Sequence, residues 1–203
     1  MRIRQGAWVW AVVGLIAAAV AGCTGDTTNV ATPTASRSSH DPSATASSPS
    51  PTAAQHTPTL PSPSAAMAQP SVDGAVAAAH YFLELYSYSM ATGDLDAWRA
   101  MSADDCKMCN NVIGQVEDLV AIGHTVFSDP LESPIANGME VVPSELYGAD
   151  LDVTQGAWKE IDGAGNVVDS GPPSAAYMQF TIGWGPDGWI VRQVDVHEPR
   201  ATQ

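Results

Sequence analysis

Two spacings of apolar residues divide residues 71–203. From Ser71 to Gly123 the apolar residues recur every three or four positions, which is the spacing of one helical face. After His124 the spacing falls to two and turn residues become frequent, which indicates strands. Helices followed by antiparallel strands predict an α+β domain, with its N-terminal helices packed on one face of a curved, mainly antiparallel sheet.

The first helix is predicted from about Val72 to Ala91. Ser71 precedes it and can serve as its N-cap, and Gly93 follows it as a residue that readily adopts the left-handed conformation that ends a helix. Spacings of four and three predict that one stripe of this helix is buried, and the stripe consists of Val72, Val76, Ala79, Leu83, Tyr86 and Met90.

A short second helix is predicted up to Met101, with Trp98 turned inward. Before the third helix, the segment 102–105 (Ser-Ala-Asp-Asp) has the form of a capping box with Asp in the place of Glu or Gln. The third helix is predicted to end at Gly123. Its predicted buried stripe is Cys106, Cys109, Ile113, Val116 and Val120.

Six strands are predicted after His124. Their ranges are 125–131, 138–143, 149–161, 166–170, 174–184 and 189–197. The fifth strand has the clearest alternation, because one of its faces carries Ala176, Met178, Phe180, Ile182 and Trp184. The turn sequence Gly-Pro-Asp-Gly at 185–188 joins it to the sixth strand as an antiparallel hairpin, and a second turn is predicted at 162–166.

Residues 1–22 have the organisation of an export signal. Arg2 and Arg4 give a positive start, and residues 7–22 are uncharged, which is shorter than the roughly 20 residues of a membrane-spanning helix. The run ends in Val-Ala-Gly-Cys at 20–23, which resembles the lipobox of bacterial lipoproteins. The resemblance implies that Cys23 carries a diacylglyceryl group and begins the mature chain. An ordinary secretory signal with an incidental cysteine and an uncleaved anchor are the alternative interpretations.

A tether is predicted to follow Cys23 and to end at residue 70. Residues 24–70 contain 8 Pro, 9 Ser, 9 Thr and 9 Ala, and such a composition buries too little apolar surface to offset the entropy of ordering. The sequence therefore predicts a disordered spacer between the membrane and the folded domain, residues 71–203. Ser and Thr beside Pro are also compatible with O-glycosylation.

The net charge of the chain excludes some classes of function. The formal net charge of the chain is −14, and residues 71–203 carry 20 acidic and 5 basic side chains. No basic face exists to neutralise phosphates, so nucleic-acid binding is excluded. The acidic excess predicts a solvated surface. Alternatively, one cluster of these acidic residues could attract a basic partner or Ca²⁺. The cluster comprises Glu132, Glu140, Glu145, Asp150 and Asp152.

Cys106-Lys107-Met108-Cys109 is the sharpest local motif. An exported protein meets an oxidising compartment, and Asp104 and Asp105 before the motif disfavour a thiolate, so a structural disulfide is predicted. A thiol-redox centre and a pair of buried free thiols are the alternatives. A zinc site that combines the pair with His80 and His124 lacks the usual ligand spacing.

The order of motifs also suggests a family. The segment Ala91-Thr-Gly-Asp-Leu-Asp-Ala-Trp-Arg99, the Cys-x-x-Cys helix and the final Gly188-Trp-Ile-Val191 resemble the nuclear-transport-factor-2-like (SnoaL-like) fold. Within that fold, the chain is similar to a family of actinobacterial lipoproteins of unknown function. The resemblance implies helices that form a cone with the curved sheet around a cavity. It implies no activity.

Candidate cavity residues are Tyr86, Trp98, His124, Tyr177, Asp195 and His197. Asp195 and His197 share a strand face and could form a hydrogen bond. Trp98, Trp158, Trp184 and Trp189 are expected to pack in the core more than to line a cavity. No catalytic residue, metal site or cofactor is assigned.

The sequence predicts a lipid-anchored protein on the outer face of the cytoplasmic membrane, with a non-catalytic domain that binds a small apolar ligand or a cell-envelope protein. One alternative is a tethered isomerase- or dehydratase-like enzyme that uses Asp and His in the cavity. A second alternative is a thiol-redox lipoprotein.

Overall fold

A computed structural model describes residues 58–200. The predicted signal, Cys23 and most of the predicted tether lie outside these residues. The helices are a 3-10 turn at Ala65–Ala68, α1 (Val72–Thr92), α2 (Asp96–Ala100) and α3 (Lys107–Ala121). The strands are β1 (Thr125–Ser128), β2 (Glu132–Val142), β3 (Leu146–Gln155), β4 (Trp158–Ile161), β5 (Val167–Gly171), β6 (Ser174–Gly185) and β7 (Gly188–His197). The predicted α+β class is confirmed.

The strands form two antiparallel sheets, where one curved sheet was predicted. One sheet has the order β1-β4-β5, and the other has the order β2-β3-β6-β7. The predicted strand 149–161 is wrong as one element, because β3 pairs with β6 whereas β4 pairs with β1 and β5. The change of sheet falls at Gly156 and Ala157, where a Cβ on Gly156 would lie 2.5 Å from the Asp129 side chain. Glycine therefore permits the close approach at which the chain changes sheets.

The predicted ends of α1 are confirmed. The Ser71 hydroxyl accepts a hydrogen bond from the Gly74 N–H at 3.0 Å, and Gly93 has a φ of 77° while its N–H donates to the Ser89 carbonyl. The predicted stripe is confirmed in part, because Ala79 and Leu83 are buried and Val76, Tyr86 and Met90 pack against the core, whereas Val72 is exposed. The most deeply buried face of α1 lies beside this stripe and carries Ala75, Ala78, Phe82, Leu85 and Ser89. Apolar residues occur on several sides of this helix, so their spacing did not select the buried side.

The predicted capping box before α3 is wrong. Cys106 is the N-cap, and its Sγ accepts the Cys109 N–H at 3.3 Å. Ser102 instead donates its hydroxyl to the Trp98 carbonyl at 2.7 Å. In the predicted stripe, both cysteines and Val116 are buried, but Val120 is 54 % exposed.

Trp98 lies at the centre of the core with no exposed surface. Its ring stacks on Phe82 at a centroid distance of 3.8 Å, and Tyr86 lies at 6.3 Å. The indole N–H donates to the Cys109 carbonyl at 3.2 Å. One side chain therefore joins α1, α2 and α3, and the predicted inward position of Trp98 is confirmed.

Residues 58–69, here called the strap, belong to the fold, so the predicted tether boundary at residue 70 is too late. The Trp189 indole N–H donates to the Met67 carbonyl at 2.8 Å, across 122 positions of sequence. A Cβ on Gly74 would lie 2.5 Å from the Gln69 carbonyl oxygen and 2.8 Å from the Trp189 ring. Glycine at position 74 thus lets the strap approach α1.

Within residues 58–200, no helix has both the length and the apolar character that crossing a membrane requires.

Candidate functional site

An open groove of about 380 Å³ lies in the described part of the chain. Four parts of the fold form it: the strap, α1, the end of α2 and the β6–β7 hairpin. Its principal lining residues are Met67, Tyr81, Met101, Trp184, Asp187 and Trp189. Its volume is in the range of small-molecule sites, and aromatic and thioether groups dominate its lining.

The β6–β7 turn sets the two tryptophans of the groove side by side. Gly188 has a φ of 102°, a conformation that residues with a Cβ rarely adopt. The hairpin register pairs Trp184 with Trp189, and their ring centroids lie 4.9 Å apart at an angle of 66°. Trp189 is buried and also meets Tyr147 edge to face at 5.2 Å, whereas Trp184 is half-buried. Trp184 is therefore the ring available to a ligand.

The groove holds little charge. Asp187 is the one charged residue in its lining. The pKa of the Tyr81 hydroxyl is raised, first by burial and then by the negative charge of Glu84. Tyr81 is therefore neutral near pH 7 and can donate a hydrogen bond. Such a lining suits a neutral or cationic ligand with an apolar face and disfavours an anion.

A second recess of about 220 Å³ also lies between the strap and α1 and shares Ser64 and Tyr81 with the groove. It is lined by Ser62, Ser64, Ala77, His80, Tyr81 and Glu84. His80 and Glu84 lie four residues apart on α1, and Glu84 is exposed. Acid–base catalysis requires groups positioned in a water-excluded site. This recess meets that requirement poorly.

The six candidate cavity residues do not line one cavity. Trp98 is a core residue, and Tyr86 is half-buried beside it. The pKa of Tyr86 is raised by burial. His124 immediately precedes β1, and its Nδ1 is 2.6 Å from Glu160 Oε1 on β4. This pair joins two strands of the three-stranded sheet.

The remaining three candidates lie on β6 and β7. The rings of Tyr177 and His197 are 5.8 Å apart, and Asp195 accepts a hydrogen bond from the Gln193 side chain at 2.7 Å. The predicted hydrogen bond between Asp195 and His197 is thus replaced by these contacts. Arg200 lies over the Tyr177 ring and donates from Nε to Asp152 at 2.9 Å, which lowers the pKa of that carboxyl. Asp195 and His197 are exposed, so this face lacks an enclosed site.

Sequence reasoning missed most of the groove. Tyr81, Met101 and the strap were not proposed for a site, and Trp184 and Trp189 were expected mainly in the core. The available signal was the short turn with a tryptophan on each side, Trp-Gly-Pro-Asp-Gly-Trp at 184–189. Paired strands place such residues on the same face of a sheet.

The two sulfurs of Cys106 and Cys109 lie at disulfide distance. Both residues are buried, at 1 % and 0 % exposure. Catalytic thiols need access to their substrate. The burial of this pair therefore supports a structural disulfide over thiol exchange.

We expect the Cys106→Ser/Cys109→Ser protein to be less stable than the wild type by about 2 kcal/mol, the chain-entropy value for a closed loop of about four residues. Urea unfolding of the two full-length proteins measures the difference, and intact mass before and after reduction reports the bond. A double variant as stable as the wild type would contradict the structural role.

Within residues 58–200, no three His, Cys, Asp or Glu side chains are grouped closely enough to hold a metal ion. The acidic cluster has internal partners. Glu140 accepts hydrogen bonds from the Ser144 N–H and the Tyr147 hydroxyl, and Asp152 pairs with Arg200.

The fold defines a class: an α+β domain in which helices pack with two antiparallel sheets. It is similar to the intermembrane space region of the chloroplast protein ARC6, with a TM-score of 0.50 and 9 % identity over 63 % of this chain and 97 % of that one. An uncharacterized protein with a cystatin-like fold from Caulobacter vibrioides has a TM-score of 0.37 and 11 % identity, over 59 % of this chain and 86 % of that chain. A protein of unknown function with a cystatin-like fold from Nostoc punctiforme has a TM-score of 0.35 and 11 % identity, over 63 % of this chain and 91 % of that chain.

The chain belongs to a family of unknown function, DUF6318, whose model matches residues 41–195. No curated protein sequence matches the chain. At these identities the structural likeness shows the fold alone.

Proposed function

We propose that the protein is a lipid-anchored binding protein on the outer face of the cytoplasmic membrane, of the actinobacterial lipoprotein type. In this proposal, Cys23 carries the lipid anchor. The proposal also includes a nuclear-transport-factor-2-like arrangement of the folded domain. Arg2, Arg4, the short uncharged run and the Val-Ala-Gly-Cys sequence support the anchor.

The observation that carries the binding role is the groove between the strap and the β6–β7 hairpin. It combines Tyr81, Trp184 and two methionines with a single carboxylate, Asp187. The ligand class is a small apolar molecule that is neutral or carries a positive group near Asp187. Catalysis is the weaker interpretation, because no two charged groups of the described residues converge in this groove.

The full-length protein in detergent is titrated with N-phenyl-1-naphthylamine, a neutral apolar fluorescent probe. We expect Trp184→Ala to weaken binding at least tenfold, about 1.4 kcal/mol, because Trp184 provides the accessible ring surface. Trp158→Ala is the matched control, since Trp158 is a half-buried tryptophan in the three-stranded sheet. Native mass spectrometry of protein from its own cells then shows whether a ligand is retained.

Two results would overturn this role. The first is failure of the wild type to bind the probe. The second is an equal loss of affinity in Trp184→Ala and Trp158→Ala, which would mean that the probe reports general stability.

A further inference from the structure

The β2 strand is an edge of the four-stranded sheet. It pairs with β3 alone, and from Ile135 to Glu140 the pairing is regular, opposite residues 152–147 of β3. An edge strand presents backbone N–H and C=O groups that have no partner in its own sheet. A regular six-residue run is long enough to template one further strand.

The other edge of this sheet is partly covered. The Val191 N–H of β7 donates to the Met101 carbonyl at 2.7 Å, and the Ala103 N–H donates to the Val191 carbonyl at 2.9 Å. The connection between α2 and α3 thus occupies backbone groups of β7. Within residues 58–200, no element pairs with the outer side of β2.

The side chains of β2 are unusually apolar for an exposed edge. Ile135, Met139 and Val141 are 54 %, 60 % and 55 % exposed. Ile135 and Met139 lie opposite Asp152 and Gly148 of β3, on the sheet face that points away from α1. Exposed edges are usually protected by charges, proline or bulges along the strand. In β2, Pro134 and the two register shifts lie outside the regular run 135–140, Glu140 is the one charged residue within that run, and β2 contains no basic residue. Grouped exposed apolar residues mark interaction surfaces.

The negative charge on and near β2 indicates which kind of partner would bind this edge. Glu132 and Glu140 lie on β2, Asp150 lies on the neighbouring strand β3 opposite Asn137, and the described residues hold 20 acidic against 5 basic side chains. Two copies that paired through β2 would bring these carboxylates together, which is unfavourable. A chain with basic and apolar residues in alternation would place its positive charges near these carboxylates.

We infer that the β2 edge, residues 132–142, is a docking site for an extended basic segment of another protein, which adds to the sheet as a fifth strand. The site shares no residue with the groove, so it is independent of the proposed ligand.

The test uses the full-length protein in detergent and a ten-residue peptide that alternates valine with lysine. We expect the peptide to slow amide hydrogen exchange in residues 132–142. It should bind at least tenfold more tightly than a peptide that alternates valine with glutamate. Raising the salt concentration should weaken binding, because the contribution of the charges is screened.

Two variants localise the site. Ile135→Lys/Met139→Lys should reduce binding of the basic peptide at least tenfold by adding positive charge to the edge. Val167→Lys/Val168→Lys should leave it unchanged, since these exposed valines lie on β5, an edge of the other sheet. Equal binding of the two peptides, protection outside 132–142, or a dimer that protects β2 without peptide would each overturn the inference.

Discussion

Replacing Trp98 by alanine is expected to remove about 3–5 kcal/mol of stability, the usual cost of truncating a large buried aromatic side chain. The ring has no exposed surface, stacks on Phe82 and donates to the Cys109 carbonyl. Alanine would leave a cavity between three helices and would remove the indole N–H that donates to the Cys109 carbonyl. Because domains of this size are stable by about 5–15 kcal/mol, the loss is a large fraction of the total.

Urea unfolding of the full-length protein, followed by circular dichroism, measures this loss. Trp98→Phe keeps an aromatic ring but loses the hydrogen bond, so we expect an intermediate loss of about 1–2 kcal/mol and a protein that still folds. Trp158→Ala is the comparison at a half-buried tryptophan. The central position of Trp98 would be refuted if its alanine variant were as stable as Trp158→Ala.

Replacing Cys23 by serine is expected to abolish lipid attachment completely. Serine lacks the thiol that receives the diacylglyceryl group in the lipoproteins that this segment resembles, and processing before residue 23 should fail with it. Two acyl chains give stable membrane attachment, and one alone gives marginal attachment. The variant should therefore retain residues 1–22 and incorporate no labelled palmitate.

Intact mass spectrometry of both proteins from their own cells provides the measurement. The wild type should begin at Cys23 with the added mass of its lipid. Cys106→Ser/Cys109→Ser is the matched control, because its lipid should be unchanged. A Cys23→Ser protein with the wild-type N-terminus and stable membrane attachment would contradict the anchor. This result would not affect the proposals for the groove and the β2 edge, because neither depends on the anchor.

Local features of the fold were predictable from the sequence where a few neighbouring residues determine them. Ser71 and Gly93 end α1 through hydrogen bonds and a backbone angle that depend on adjacent residues. The turn at 185–188 and the alternation along β6 were predicted for the same reason. The predicted capping box at Ser102 is wrong, because Ser102 instead donates to the Trp98 carbonyl four residues earlier and forms a bridge with Val191 of β7.

The candidate site was less predictable, because distant segments build it. The groove needs the strap and the β6–β7 hairpin, which meet through the hydrogen bond from Trp189 to Met67. The composition of the strap led to its prediction as part of the tether. Composition carries no information about a contact with a residue 122 positions away in the sequence.

By itself, the sequence determined that the helices precede the strands, where α1 begins and ends, the main hairpin, and the three-residue spacing that lets Cys106 and Cys109 pair. These depend on hydrogen bonds and backbone angles within a few residues. The tertiary structure alone decided which side of α1 is buried, where the strands divide into two sheets, and that β2 stays an open edge. Each of these depends on which surfaces come together across the fold, and the free energy of burying apolar area is set by both partners.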